Sequence, residues 1–308
     1  MIDVIIPTYN AYDTIERTLK SIECQTIKDK LKVYIIDDCS IKDYNYLKDL
    51  FDLDITIYRL SKNGGPGVAR EYGIEHSNSE YIVFIDSDDI FSSSDSIKIM
   101  FNTIGDKDVG VTAFTEEYDV GGYTIYDDNI WMHGKIYKRK YIIDNDIHFN
   151  DSRQNEDYGF NRLLILSGAT INYSRDITYI WKNNKASITR KNNYEYDYEG
   201  LFGYMYNVLW VLKLSKERNY NKNLIGSLAY ESLVFMYINY LRFNRIRDMH
   251  ELLNQCKKVL DIYQENKLDS NNEKEIYTKV TTKYYGVILN CNLDVSITFD
   301  IFMSNIVK

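Results

Sequence analysis

The sequence predicts an α/β fold, a mostly parallel sheet with flanking helices, followed by an α-helical C-terminal domain. Three observations carry this expectation. Short apolar runs rich in Ile, Val and Tyr alternate with amphipathic stretches through the N-terminal third, the rhythm of parallel strands joined by crossovers. The expected strands run into polar or acidic residues at their carboxyl ends. Beyond about residue 194 a helical period dominates. The 308 residues suffice for a large core, since a chain of this size hides roughly three-quarters of its unfolded surface.

In chain order, strands are expected at residues 4–7, 33–37, 55–58 and 81–85. Residues 14–25 place Ile15, Leu19 and Ile22 on one helical face, with Asp13 or Thr14 available as cap. Residues 43–51 and 67–76 supply two more crossovers, and Pro66 falls in the first turn of the second. After a strand at 109–112, residues 114–137 read as an antiparallel excursion around Gly121-Gly122, followed by short helices from Lys138 and over 156–166. Amphipathic runs at 196–214, 224–243, 249–265 and 273–289 form the helical part. The boundary is placed near residue 192, giving domains 1–192 and 193–308.

The formal charge of −8 and pI near 5.2 disfavour a broad nucleic-acid surface. Cys24, Cys39, Cys256 and Cys291 show no C-x-x-C spacing, and no signal peptide precedes the first strand at Asp3, so a reducing cytoplasm is expected. No stretch reaches roughly 18 uncharged apolar residues. Residues 224–241 come nearest and read as a bundle helix or an oligomer contact.

The most informative stretch is Tyr81-Ile82-Val83-Phe84-Ile85-Asp86-Ser87-Asp88-Asp89. Its three carboxylates repel one another unless a cation sits among them, and oxygen donors suit Mg²⁺ or Mn²⁺. The competing reading is an acidic turn capping a helix that starts near Ser93. Thr8-Tyr9-Asn10 and Asp37-Asp38 end two other expected strands, and open α/β sheets bind ligands at that rim. Asn63-Gly64-Gly65-Pro66-Gly67-Val68-Ala69-Arg70 would expose free N–H groups for an anion or base, or form an ordinary helix start with an exposed Arg. A dinucleotide-binding G-x-G-x-x-G does not follow the first strand.

Taken in order, Val4-Ile5-Ile6-Pro7-Thr8-Tyr9-Asn10, Ile36-Asp37-Asp38-Cys39-Ser40, residues 67–73 and residues 84–89 resemble the signature of family 2 glycosyltransferases, whose nucleotide-sugar domain has the GT-A fold. The resemblance covers roughly residues 1–192. It implies a donor site of Pro7, Thr8, Tyr9, Asn10, Asp38, Gly67, Arg70, Asp86, Ser87 and Arg190. It also implies Mn²⁺ or Mg²⁺ held by the D-x-D pair, Asp88 with Asp86, against the donor diphosphate. Gln154-Asn155-Glu156-Asp157 resembles the E-D motif of inverting members, which makes Asp157 the general base with Glu156 beside it; helix-start carboxylates otherwise cap.

Trp131-Met132-His133-Gly134-Lys135 resembles the segment leading to the acceptor cleft, with His133 and Gly134 as two additional residues, so Trp131 and Lys135 are assigned to the acceptor; Asp89, next to the D-x-D pair, is assigned to the acceptor as well or else caps the next helix. His133 is either a metal or acceptor ligand or a plain hydrogen-bonding residue. Cys39 stands where the family's D-D-G-S motif has Gly. Neither Q-x-x-R-W nor membrane helices accompany these motifs, so one transfer per encounter is expected. The resulting expectation is a cytoplasmic, metal-dependent, inverting transfer of a hexose or N-acetylhexosamine, with a UDP-sugar the favoured donor, to a hydroxyl of a glycan, glycopolymer or other acceptor. The C-terminal helices would serve acceptor recognition or a homo-oligomer, and peripheral membrane contact is admitted. The rivals are a nucleotidyltransferase and a catalytically degenerate sugar-nucleotide-binding module.

Overall fold

The computed structural model describes residues 1–117, 123–126, 130–184, 193–284 and 296–307. The chain divides into two compact units, Met1–Lys191 and Asn192–Lys308.

In the first unit the strands are β1 (Ile2–Thr8), β2 (Leu31–Asp37), β3 (Ile55–Arg59), β4 (Tyr81–Phe84), β5 (Ile90–Phe91), β6 (Val109–Glu117), β7 (Tyr123–Tyr126), β8 (Lys135–Lys138) and β9 (Ile171–Trp181). The helices are α1 (Ile15–Glu23), α2 (Leu47–Leu50), α3 (Pro66–His76), α4 (Ser96–Ile104), α5 (Arg139–Asp144) and α6 (Glu156–Leu166). Among the described residues the strands form one sheet in the order β3-β2-β1-β4-β8-β6-β9-β5, with β7 beside β6. Parallel pairing joins β1 to β2 and β4, and β2 to β3. β8 runs antiparallel to both β4 and β6, whereas β9 is parallel to β6. This mixture brings the carboxyl ends of β1, β2, β4, β6 and β9 and the amino end of β8 to one rim.

Alternation along β1 separates two apolar layers. Val4 and Ile6 join a core with Ile15, Leu19 and Ile22 of α1 and with Ile97 and Met100 of α4. Ile5 points to the other face, where α3 lies so close that a Cβ on Gly73 would stand 2.4 Å from Ile5 Cγ2. Phe84, Phe149 and Phe160 fill that face farther along, Phe149 stacking on Phe160 at 4.3 Å.

In this unit three sequence expectations change. The acidic turn does not cap a helix at Ser93: β5 intervenes, α4 starts at Ser96 behind Asp95, and the Ser93 N–H donates to Ser96 Oγ. Strand β9 was unread, because its first half, Ile171-Asn172-Tyr173-Ser174-Arg175-Asp176, is partly or fully exposed and only Thr178 and Tyr179 are buried. The crossover expected at 43–51 is one turn of helix. Antiparallel pairing of β6 with β7 is present, while the Gly121-Gly122 turn lies outside the described residues.

The second unit contains α7 (Asn193–Glu217), α8 (Lys222–Phe243), α9 (His250–Glu265), α10 (Ser270–Lys283) and α11 (Phe299–Val307). Asn221 caps α8 and Asp269 caps α10, each accepting two backbone N–H groups. Leu252, Cys256, Val259, Leu260 and Tyr263 form the buried stripe of α9. By length and composition α8 could cross a membrane, which departs from the sequence expectation, but 67% of its most apolar window is buried within the protein. Gly226 of α8 lets this helix approach the end of α9: an added Cβ would lie 2.1 Å from the Asn266 carbonyl oxygen. That atom is backbone and cannot swing aside. Gly226→Ala should therefore lower stability by about 1–3 kcal/mol or more through overpacking, read as an earlier loss of helical circular dichroism on heating; an unchanged transition would contradict this packing.

Candidate active site

The rim collects carboxylates from several separate segments. Asp38, at the end of β2, is 3% exposed and accepts the Gly64 and Gly65 N–H groups at 2.7 and 2.8 Å. Burial raises its pKa, and these two donors oppose the shift. Asp38 thus shapes the glycine turn before α3, where Gly65 takes φ +92°. Cys39 beside it has φ +64°, so a Cys occupies the left-handed conformation that the family's Gly would adopt freely. Thr8 is buried with its hydroxyl donating to Ile6 O, Tyr9 is 54% exposed, and the Asn10 side chain accepts from Ile41 N. Pro7 lies within β1.

Arg70 is not the exposed residue of an ordinary helix start. It is 4% exposed and clamps two carboxylates, Nη2 donating to Asp86 Oδ1 at 2.6 Å and Nη1 to Glu156 Oε1 at 2.7 Å. Burial works against this cation, but Asp86, Glu156 and Asp157 hold it charged. Gly67 makes the clamp possible, since a Cβ there would lie 3.0 Å from Glu156 Cγ. Glu156, assigned to catalysis, serves here as an ionic strut. Asp157 is partly buried at the first turn of α6, whose N-cap is Asn155 in the left-handed region. Its carboxylate accepts the Tyr158 N–H at 2.7 Å. Burial first and the Glu156 charge second push its pKa up to about 7, against Arg70.

The three clustered aspartates divide. Asp86 is pushed up by burial but held well below the usual carboxylate range, first by Arg70 and then by His133. Asp88 accepts from Asn184 Nδ2 at 2.8 Å, and burial and the Asp86 charge raise its pKa. Asp89 is 1% exposed and accepts Tyr179 Oη at 2.6 Å and the Lys182 N–H at 2.8 Å. Burial and both neighbouring aspartates raise it well above the ordinary range. Mutual repulsion is thus written into this rim, and a divalent cation would relieve it. Oxygen donors of Asp86 and Asp89 and a ring nitrogen of His133 lie within 4.8 Å of one another, a donor set that fits Mn²⁺ or Mg²⁺. Asp88, assigned with Asp86 to the metal, stands outside that group. Ser87 is partly buried in the same turn.

The acceptor assignments fare differently. Trp131 is partly exposed and tilted against Trp181 at 5.3 Å. Lys135 is 1% exposed and its ammonium donates to the Trp131 and His133 carbonyls, so it braces this segment from inside. Arg190 lies outside the described residues. Sequence reasoning missed Tyr179, Trp181 and Asn184; the available signal was the apolar run Thr178-Tyr179-Ile180-Trp181 at the end of an unread strand.

A mixed sheet of this order with helices on both faces is the GT-A fold: S. aureus TarS 1-349 in complex with UDP-GlcNAc matches at a TM-score of 0.66 and 20% identity, over 93% of this chain and 92% of that one. The mannosyltransferase PcManGT from Pyrobaculum calidifontis in complex with GDP-Man and Mn²⁺ matches at 0.55 and 16% identity, over 92% and 80%. Residues 3–155 match Glycosyl transferase family 2, and the chain belongs to that family. The poly(ribitol-phosphate) beta-N-acetylglucosaminyltransferase TarS of Staphylococcus aureus (strain Mu50 / ATCC 700699) is 26% identical over 204 residues, 59% of this chain and 35% of the relative, so the chain spans about a third of that protein's length.

Proposed function

We propose that this protein transfers a single sugar from a nucleotide-diphosphate sugar, favouring UDP-hexose or UDP-N-acetylhexosamine, to a hydroxyl of a glycopolymer with inversion at the anomeric carbon. The observation that carries the reading is Asp157, a partly buried carboxylate with a pKa of about 7 linked through Arg70 and Asp86 to the acidic rim. A base so tuned is half ionised near neutrality and still strong enough to take the proton of an attacking hydroxyl, the condition general-base catalysis favours. Direct displacement by that hydroxyl comes from the face opposite the leaving diphosphate, which is the inverting course of this proposal.

The acidic rim supports the donor half. Asp86 and Asp89, with His133 and Asp88 adjacent, would hold Mn²⁺ or Mg²⁺, which when bound supplies Lewis-acid stabilisation of the departing diphosphate. Asp38 already takes the Gly64 and Gly65 N–H groups, so the glycine turn is satisfied from within, and exposed Tyr9 offers a face for the base. Similarity to TarS supports a UDP-sugar and a polyol-phosphate polymer as the first substrates to try. The helical unit is proposed to serve acceptor recognition or self-association. A cytoplasmic setting belongs to the same proposal, supported by the unbridged Cys24, Cys39 and Cys256.

A panel of UDP- and GDP-sugars with Mn²⁺ tests the reading. The correct donor at 100 times its dissociation constant should add about 2.7 kcal/mol of stability. Transfer to poly(ribitol phosphate) should release the nucleoside diphosphate and leave a β-linkage from an α-linked donor. Release of pyrophosphate would instead identify a nucleotidyltransferase, and binding without turnover of any donor would identify a degenerate module.

A further inference from the structure

His133 occupies an unusual place. It is 6% exposed and held on all sides by rings: stacked on Tyr179 at 4.5 Å, against the edge of Phe114 at 4.8 Å, and flanked by Trp131 and Trp181 at 5.8 and 5.6 Å. The chain reaches this position through Gly134, whose φ is +64° and where a Cβ would stand 2.9 Å from the Thr112 carbonyl oxygen. The turn is secured by the Gly134 carbonyl, which accepts both the Thr112 N–H and the Thr112 hydroxyl at 2.8 Å. These are the two residues that interrupt the Trp-to-Lys spacing of the segment, so the interruption is what delivers the imidazole to the rim.

The polar atoms of this ring are poorly served. Nδ1 is buried with no hydrogen-bond partner among the described residues, and an unsatisfied buried polar atom costs about 1–3 kcal/mol. Nε2 faces Asp86 Oδ2 at 3.8 Å and Asp89 Oδ2 at 3.9 Å, beyond hydrogen-bond range of both. Ligands on opposite sides of a Mg²⁺-sized ion stand about 4.2 Å apart and adjacent ones closer, so these separations fit a single coordination shell. Asp86 is already turned for it, because Arg70 takes Oδ1 and leaves Oδ2 toward the ring. Asp89 is fixed by Tyr179, the residue on which the imidazole stacks.

We propose that His133 is a protein ligand of the divalent cation, binding through Nε2 beside Asp86 and Asp89, and that it makes the site prefer Mn²⁺ to Mg²⁺. The inference rests on the cation of the proposed function and refines its ligand set. Imidazole nitrogen is a softer donor than carboxylate, and Mg²⁺ gains little from it.

The test uses the untagged 308-residue protein titrated with MnCl₂ or MgCl₂, with and without UDP. In pulsed paramagnetic resonance, bound Mn²⁺ should show coupling to one imidazole ¹⁴N. In His133→Phe, which retains an aromatic ring in the box, that coupling should vanish, Mn²⁺ affinity should fall at least tenfold, and the preference over Mg²⁺ should collapse. Wild-type Mn²⁺ without nitrogen coupling overturns the assignment even if the variant fails to fold, and so does unchanged affinity in a folded His133→Phe. If the wild type binds no Mn²⁺ with or without UDP, the cation of the proposed function falls as well, and UDP-induced thermal stabilisation then reports separately whether the donor site stands.

Discussion

Replacing Asp157 with Asn should cut kcat for sugar transfer about 10²- to 10⁴-fold, the usual contribution of a general base, while leaving donor binding intact. The wild-type kcat/KM should climb as pH rises through about 7, where burial and Glu156 place the Asp157 pKa, and the variant should lose that limb. Stability should move the other way. A folded pKa raised above the unfolded one means that the native state holds its proton more tightly, so stability from this group is fully present below about pH 4 and lost as pH rises toward 7. Asp157→Asn should therefore unfold at a higher temperature than wild type at pH 8 and at nearly the same temperature at pH 4. Full transfer activity in the variant would remove Asp157 as base and leave the donor site untouched.

Arg70→Met should be the most destabilising substitution at the rim. It would leave Asp86 and Glu156 without the cation that bridges them at 2.6 and 2.7 Å, and removing one partner of a buried ionic cluster costs about 3–5 kcal/mol. The penalty comes from stranded charge rather than lost packing, although Arg70 also lies 5.8 Å from the Phe149 ring centroid. Adding Glu156→Gln to Arg70→Met should recover part of the loss, because one stranded carboxylate is then neutral. Urea unfolding of the two single variants and the double variant measures the coupling. Strict additivity would mean that the bridge contributes nothing.

Much of the first unit was legible because local chemistry and tertiary setting agree. Strands β1 to β4 are apolar runs, α1 shows its buried face in Ile15, Leu19 and Ile22, and Pro66 marks the first turn of α3. Three of the four motifs that named the family sit at the ends of such strands, and the fourth, residues 67–73, lies in α3. Strand β9 was not legible: half of it is exposed, so its sequence lacks the alternation that a buried face imposes. The divided fates of Asp86, Asp88 and Asp89 were equally hidden, since Arg70, Asn184 and Tyr179 approach them from positions 16 to 96 residues away in the chain.

The sequence by itself determined the α/β class, the GT-A likeness and the gathering of acidic residues on one rim, because strand periodicity and turn chemistry are local properties. Only the tertiary structure decided which of those residues are struts and which remain to do chemistry. Arg70 and Glu156 support one another, Asp38 and Lys135 bind backbone, and His133 turns toward Asp86 and Asp89. Burial and the charge of neighbours brought together by folding set those roles, and neither quantity is carried by any short stretch of chain.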